Sequence, residues 1–297
     1  MISRLPLGQI RLLTALGGGR QDDRRWHNAS RRYRVFYDKR LGAHISVDLA
    51  DWGGRWYYYP ARYYDSFNHV LIERVLDAGD AFIDIGANVG IHTLKGSSRV
   101  GVSGKVLAIE PNPETFQTLQ LHTALNHRKN VITKNAGAGE TASVMRIHGD
   151  QLHSGTYSLV NHGHGQHQIE VKVERTSDLI EEDLLRRRRV LIKIDVEGFE
   201  LKVLRGMLQV LERPNIVVSL EVTPEWMALV GDSVDQLEEL VARLGYRVLH
   251  PTLMRHPFRG REYSFRTGPI DRRNQTDVVL VSQSSAAFLG DYGQGEM

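Results

Sequence analysis

Four acids in this sequence sit where an acid can do chemistry. Asp84 lies in the apolar run Phe82-Ile83-Asp84-Ile85, Glu110 ends the run Val106 to Ile109, and Asp195 and Glu197 follow the run Val190 to Ile194. Each run is short and continuous, as expected for a strand buried on both faces of a parallel sheet. The first is followed by Gly86-Ala87-Asn88-Val89-Gly90, a glycine-bounded turn that leads into a helix. Glycine lets backbone approach a bound ligand closely, and an acid at the tip of the neighbouring strand can accept both hydroxyls of a ribose. Together these residues describe a nucleoside pocket on a parallel sheet. The glycine spacing by itself describes only a turn.

The choice of nucleoside turns on charge and spacing. A dinucleotide fingerprint needs Gly-x-Gly-x-x-Gly so that a helix N-terminus can face a pyrophosphate. Here the glycines are Gly86 and Gly90, the middle position is Asn88, and Ile91 stands where the last glycine would fall. Asp84 would repel a pyrophosphate but suits the cationic amino end of a methionine. The segments Asp84-Ile85-Gly86-Ala87-Asn88, Glu110-Pro111-Asn112 and Lys193-Ile194-Asp195-Val196-Glu197-Gly198-Phe199-Glu200 resemble those of the FkbM family of S-adenosylmethionine-dependent methyltransferases. The resemblance runs from about Asp48 to Val281, and the Lys193–Glu200 block is its most specific part.

That resemblance implies an α/β, Rossmann-like class I methyltransferase fold, with a seven-stranded, mostly parallel sheet, helices on both faces and a small N-terminal β-rich extension. It implies S-adenosyl-L-methionine as cofactor. It places Asp84, Gly86, Ala87, Asn88, Gly90 and Glu110 around the cofactor, with Glu110 on the ribose and Asn135-Ala136 beside the adenine. The activity it implies is O-methylation of a hydroxyl on a sugar, glycan or natural product. A hydroxyl loses its proton as it attacks, so a base must lie within hydrogen-bond reach. Asp195 is the first candidate for that acid and Glu197 the second, because both emerge at the carboxyl edge of the sheet. Lys193 shares a face with Asp195. Burying it requires an anion, and Asp84 and Glu221 are its expected partners. No metal ligand set is assigned. His148, His153, His162, His164 and His167 fall in and around a Gly-rich stretch without the i, i+4 spacing of helical zinc sites, and read as a solvated loop.

The elements that must hold these residues follow from periodicity. Strands are expected over 81–85, 105–109, 130–134, 190–194, 216–220, 246–249 and 277–282. Asn112 and Pro113 supply an N-cap and first position for one intervening helix, and Ser233 with Gln236 forms a capping box for another. Alternation of strands and amphipathic helices predicts a parallel sheet covered on both faces. Two connections are long. One, 136–189, holds alternating segments at 141–147 and 168–173 and a helix near 177–186. The other, 250–276, carries Arg255, Arg259, Arg261, Arg266, Arg272 and Arg273, and is expected to be a loop at the carboxyl edge that meets the substrate. The domain reading is a basic arm and β-rich extension over 1–65, a candidate substrate-side cap, then a methyltransferase domain over 66–284 and a flexible tail over 285–297.

Composition narrows the classes. The chain has 297 residues, 41% hydrophobic and 25% charged, as expected of a globular protein. A formal net charge of +3 is far from the basic excess of a dedicated nucleic-acid binder. The absence of cysteine excludes disulfides and thiolate chemistry. No apolar run reaches transmembrane length, and Met1 to Gly19 lacks the unbroken apolar core of a signal peptide, so a cytoplasmic protein is expected. The expected partner is a small-molecule or glycan acceptor, anionic if the arginines of 250–276 face it. Two other readings stay open at this point: methylation of a nucleic acid or protein, and a non-catalytic S-adenosylmethionine-binding module.

Overall fold

A computed structural model of the chain describes residues 32–58, 66–150, 153–161, 167–256 and 260–290. The basic arm before Arg32 and the chain beyond Gly290 lie outside the described residues. The strands are β1 (Tyr33–Asp38), β2 (Ala43–Asp48), β3 (Ala81–Ile85), β4 (Lys105–Ile109), β5 (Val131–Lys134), β6 (Gly137–Gly139), β7 (Ser143–Asp150), β8 (His153–Ser158), β9 (His167–Arg175), β10 (Val190–Ile194), β11 (Ile216–Val222), β12 (Arg247–His256), β13 (Gly260–Thr267) and β14 (Thr276–Val281).

The central sheet has the order β13-β12-β14-β11-β10-β3-β4-β5. Strands β5, β4, β3, β10 and β11 run parallel, and β14 is antiparallel to β11. Every residue of β3 and β10 is buried, as expected for strands covered on both faces. One core lies on one face around Ile83, Ile192, Leu201, Leu204 and Leu237, and a second lies on the other around Phe82, Leu191, Val217, Leu71 and Val75. Both expected caps are present: Asn112 accepts from Glu114 N, and Ser233 and Gln236 close a capping box. The seven expected strands occupy their expected places.

Three features depart from the expected layout. The stretch 250–276 is not a loop. Most of it is an antiparallel hairpin in which β12 continues past the sheet and returns as β13, an eighth strand. In register, His250 is level with the tips of β3 and β10, so the rest of β12 reaches roughly 20 Å beyond the carboxyl edge at about 3.3 Å per residue. Its base is fixed by Phe67, whose ring lies edge-on to Tyr263 and Phe265, and by Arg74, which donates to Tyr263 O at 2.9 Å. Secondly, 136–189 builds a separate four-stranded sheet, β6-β9-β7-β8, followed by two short helical turns, Thr176–Leu179 and Glu182–Leu185. Thirdly, Ser285–Leu289 is a 3-10 turn with Ala286 and Leu289 in the core, so the folded unit extends past residue 284.

The N-terminal extension is a β1-β2 hairpin and a helix, Trp52–Tyr58. Ala43, Ile45 and Val47 of β2 pack with Tyr57 against Ile91 and Leu94. The outer edge of β2 is closed by side chains of the helix Pro113–Leu125 and its C-cap. Asn126 bonds the backbone of His44 in both directions, at 2.6 and 2.8 Å. His122 accepts from Ser46 N at 2.9 Å and lies 2.6 Å from Val89 O. Burial lowers the His122 pKa, the direction that favours the neutral ring able to accept that bond. The extension is thereby tied to the loop that follows β3.

Candidate active site

The site begins at the tip of β3. Asp84 is fully buried, and its Oδ2 accepts from Thr93 Oγ1 at 2.6 Å. Its Oδ1 has no hydrogen-bond partner among the described residues and lies 3.7 Å from Lys193 Nζ. Lys193 also donates to Asp195 Oδ2 at 2.9 Å. Of the two partners expected for Lys193, Asp84 is thus in place. Glu221 accepts from Gln275 and is hydrogen-bonded with Asp195. The lysine is therefore an internal counter-ion that joins the tips of two adjacent strands.

The loop after β3 supplies the second component. Asn88 adopts the left-handed conformation at φ 50°, and its N–H donates to Glu110 Oε2 at 2.8 Å, while Asn112 N donates to Oε1 at 2.9 Å. Burial raises the Glu110 carboxyl to about 7. A carboxylate offers about four lone-pair sites, so one on each oxygen remains for a ribose hydroxyl. Asn135 supports this corner by donating to Glu110 O at 2.8 Å and to Pro111 O at 3.1 Å, and Ala136 is buried behind it. Donor set and geometry fit S-adenosylmethionine: a backbone loop, an acid on the adjacent strand, and a buried anion at Asp84 to complement a cationic amine.

The two glycines have structural causes as well. At Gly86, φ is 78° and a Cβ would stand 1.8 Å from the Asp195 carbonyl oxygen. At Gly90 it would stand 2.4 Å from Leu119 Cδ1. From sequence alone, Gly86 reads as a cofactor contact. The structure adds that only glycine lets β3 and β10 close at their tips. Gly86→Val is therefore expected to lose thermal stability even without ligand, beyond merely losing ligand-induced stabilisation. A melting curve of the variant that matches wild type would contradict this packing.

Beyond the loop is a cavity of about 650 Å³, within the range of small-molecule sites. Gly86, Ala87, Asn88, Lys193 and Asp195 line it. Asp84, Gly90, Glu110, Asn135, Ala136 and Glu197 do not line it: Asp84, Gly90, Glu110 and Ala136 are buried, Glu197 is partly exposed and Asn135 is exposed. The opposite wall is the N-terminal extension: Arg32, Asp48, Asp51 and Tyr57. Arg32 Nε donates to Asp48 Oδ1 at 2.6 Å, and Tyr57 donates to Asp38 Oδ2 at 2.6 Å. His92, edge-on to His69 at 5.1 Å, and Tyr157 also line it. None of these wall residues lies in the motifs. The reading of 1–65 as a candidate substrate-side cap pointed toward those of the extension, and nothing in the sequence pointed to His92 or Tyr157.

Asp195, Glu197, Glu200 and Glu221 crowd one edge. Burial raises Glu197 and Glu200 to about 8, and raises Glu221 further, with the Asp195 charge adding to each. Glu197 stands at φ 53°, a strained backbone setting for a non-glycine residue, and its carbonyl accepts from Ser158 Oγ at 2.5 Å. Glu200, in the first helical turn, accepts from Gly198 N at 2.7 Å, while its Oε2 is buried without a hydrogen-bond partner among the described residues. A carboxyl whose folded pKa lies above its unfolded value favours the protonated form. Folded protein thus loses stability as pH rises from about 4.5 to about 8. Glu200→Gln removes this titration. Its Tm relative to wild type should climb across that window by roughly 4 °C or more, and a gap that is constant with pH would show that Glu200 is not held neutral.

A parallel sheet with an antiparallel strand between its last two members, a glycine loop after its first strand and an acid on the second defines a Rossmann-like class I methyltransferase. The Methyltransferase FkbM domain matches residues 84–248, more than half of the sequence. The chain belongs to the FkbM family of S-adenosylmethionine-dependent methyltransferases. It is 34% identical over 161 residues to Methyltransferase 1 of Beauveria bassiana, covering 46% of this chain and 64% of that protein. It is 30% identical over 152 residues to the hexuronic acid methyltransferase AglP of Haloferax volcanii, covering 50% of this chain and 58% of that protein. The match spans less than two thirds of either relative. The crystal structure of Methyltransferase FkbM from Methylobacillus flagellatus superposes with a TM-score of 0.40 at 16% identity, covering 86% of this chain and 57% of that one. No described helix is long and apolar enough to cross a membrane.

Proposed function

We propose that the protein transfers the methyl group of S-adenosylmethionine to a hydroxyl of a sugar or glycan. The observation that carries this reading is Asp195, a carboxylate that lines the cavity beside the glycine loop. When bound, the cofactor supplies an activated sulfonium methyl. What remains for the protein is alignment and removal of one proton. Asp195 would take that proton, with Lys193 and Glu221 holding its carboxylate. Glu197 has no face on the cavity and is the second candidate. Glu110 and the loop backbone would hold the nucleoside. Supporting the sugar class is the name of one relative, a hexuronic acid methyltransferase, at 30% identity. Incubation with S-adenosylmethionine and a panel of sugars, uronates and phenols tests it: S-adenosylhomocysteine should form with sugars, and release confined to nucleic acid or protein would overturn the proposal.

An anionic acceptor is favoured by the composition of 250–276, where Arg255, Arg259, Arg261, Arg266, Arg272 and Arg273 stand against only Glu262 and Asp271. Arg259 lies outside the described residues. Replacing Arg255 and Arg261 together with alanine should raise the KM for a uronate about tenfold and leave that for a neutral sugar unchanged, given 0.5–1.5 kcal/mol per hydrogen bond. Equal kinetics for both acceptors before and after would remove the hairpin from acceptor binding.

A further inference from the structure

Among the described residues, Tyr157 is the one member of the four-stranded sheet that lines the cavity. Its side chain takes an unusual course. Within the order β6-β9-β7-β8 it starts on β8, crosses β7 and ends on β9. The crossing point is Gly149, where a Cβ would stand 2.5 Å from both Cγ and Cδ1 of the tyrosine ring. Beyond it, Tyr157 Oη lies 2.9 Å from Nδ1 of His167, and the two rings are nearly perpendicular, at 87°. Gly149 and His167 are register partners on adjacent strands, so the aligned pair forms a seat for one phenol. The phenol oxygen has one proton and two lone pairs. With its proton given to His167 Nδ1, it retains acceptor capacity for a ligand hydroxyl.

We propose that Tyr157, fixed by Gly149 and His167, is the acceptor-binding residue contributed by the four-stranded sheet, and that it takes a second hydroxyl of the acceptor beside the one that is methylated. The acceptor class is therefore a polyhydroxylated ring and not a lone alcohol or phenol. This deepens the function proposed above and rests on it. His167 acts through Tyr157 and is a positioning residue. The inserted sheet then has a purpose in the reaction: it sets which ring hydroxyl lies nearest Asp195.

Tyr157→Phe keeps ring and packing and removes only the hydroxyl. The variant should raise the KM of a sugar acceptor roughly five- to tenfold, the value of one hydrogen bond, with kcat, Tm and S-adenosylmethionine affinity unchanged. His167→Ala should give a similar rise, and the double variant no more than either single one, since the two act as a unit. A series of monodeoxy sugars supplies the decisive comparison. Wild type should discriminate against the analogue lacking one particular hydroxyl, and Tyr157→Phe should not. A Tyr157→Phe enzyme with wild-type KM and discrimination overturns the assignment while leaving the methyltransferase reading intact. Loss of Tm or cofactor affinity with unchanged KM makes Tyr157 a brace only and overturns it too. Wild-type protein that binds the cofactor but methylates no hydroxyl rejects the underlying reading, and the inference falls with it.

Discussion

Glu110→Ala is expected to weaken S-adenosylmethionine binding by roughly a hundredfold or more. Two hydrogen bonds to a charged acceptor are lost, each worth about 1.5–3 kcal/mol. The same carboxylate accepts the N–H groups of Asn88 and Asn112, so the variant should also melt earlier as the loop loses its anchor. The wild-type site carries a pH signature of the same group. Burial places Glu110 near 7, and the ionised form is the better acceptor for ribose hydroxyls. Affinity should therefore rise as pH increases toward about 7 and level off above it. Calorimetry across this range, on protein shown to be folded, checks both statements. Unchanged affinity in the variant would show that the ribose is held elsewhere.

Asp195→Asn is expected to lower kcat by roughly a hundredfold or more, while S-adenosylmethionine affinity changes little. The substitution keeps size and much of the hydrogen bonding to Lys193 but removes the basic oxygen. It also relieves like-charge pressure on Glu221, whose carboxyl is pushed up by burial and then by Asp195, so folding should not suffer. Steady-state kinetics and cofactor calorimetry separate the possibilities. Near-normal turnover would transfer the base role to Glu197 or to a histidine such as His92 on the cavity wall. An equal fall in cofactor affinity would put Asp195 in the methionine pocket.

Much of the site's frame was legible because its signals are local. The apolar runs of β3, β4 and β10 have no other use than a buried parallel sheet, and Asn112-Pro113 and Ser233…Gln236 each specify a helix start within four residues. Lys193 in such a strand announced a buried anion, and Asp84 supplies it. The hairpin β12-β13 was not legible: Pro251 breaks its pattern and arginines fill positions that a strand would give to apolar residues. Only Tyr263 and Phe265 alternate, and what they pack on, Phe67, is almost two hundred residues away. The seating of the extension is equally non-local, since His122 and Asn126 on one helix bond the backbone of Ser46 and His44. Tyr157 was hidden in a His- and Gly-rich stretch that reads as a solvated loop, because Gly149 matters only once β8 lies beside it.

The most direct test of the account follows the methyl group itself. Protein is incubated with S-adenosylmethionine labelled in the methyl position and with a uronate-containing sugar, and the product is analysed by NMR. Wild type should form a new methyl ether on a ring oxygen, and Asp195→Asn should form almost none. Label appearing on nitrogen, on the uronate carboxyl as an ester, or on no acceptor despite measured cofactor binding would contradict the proposed function.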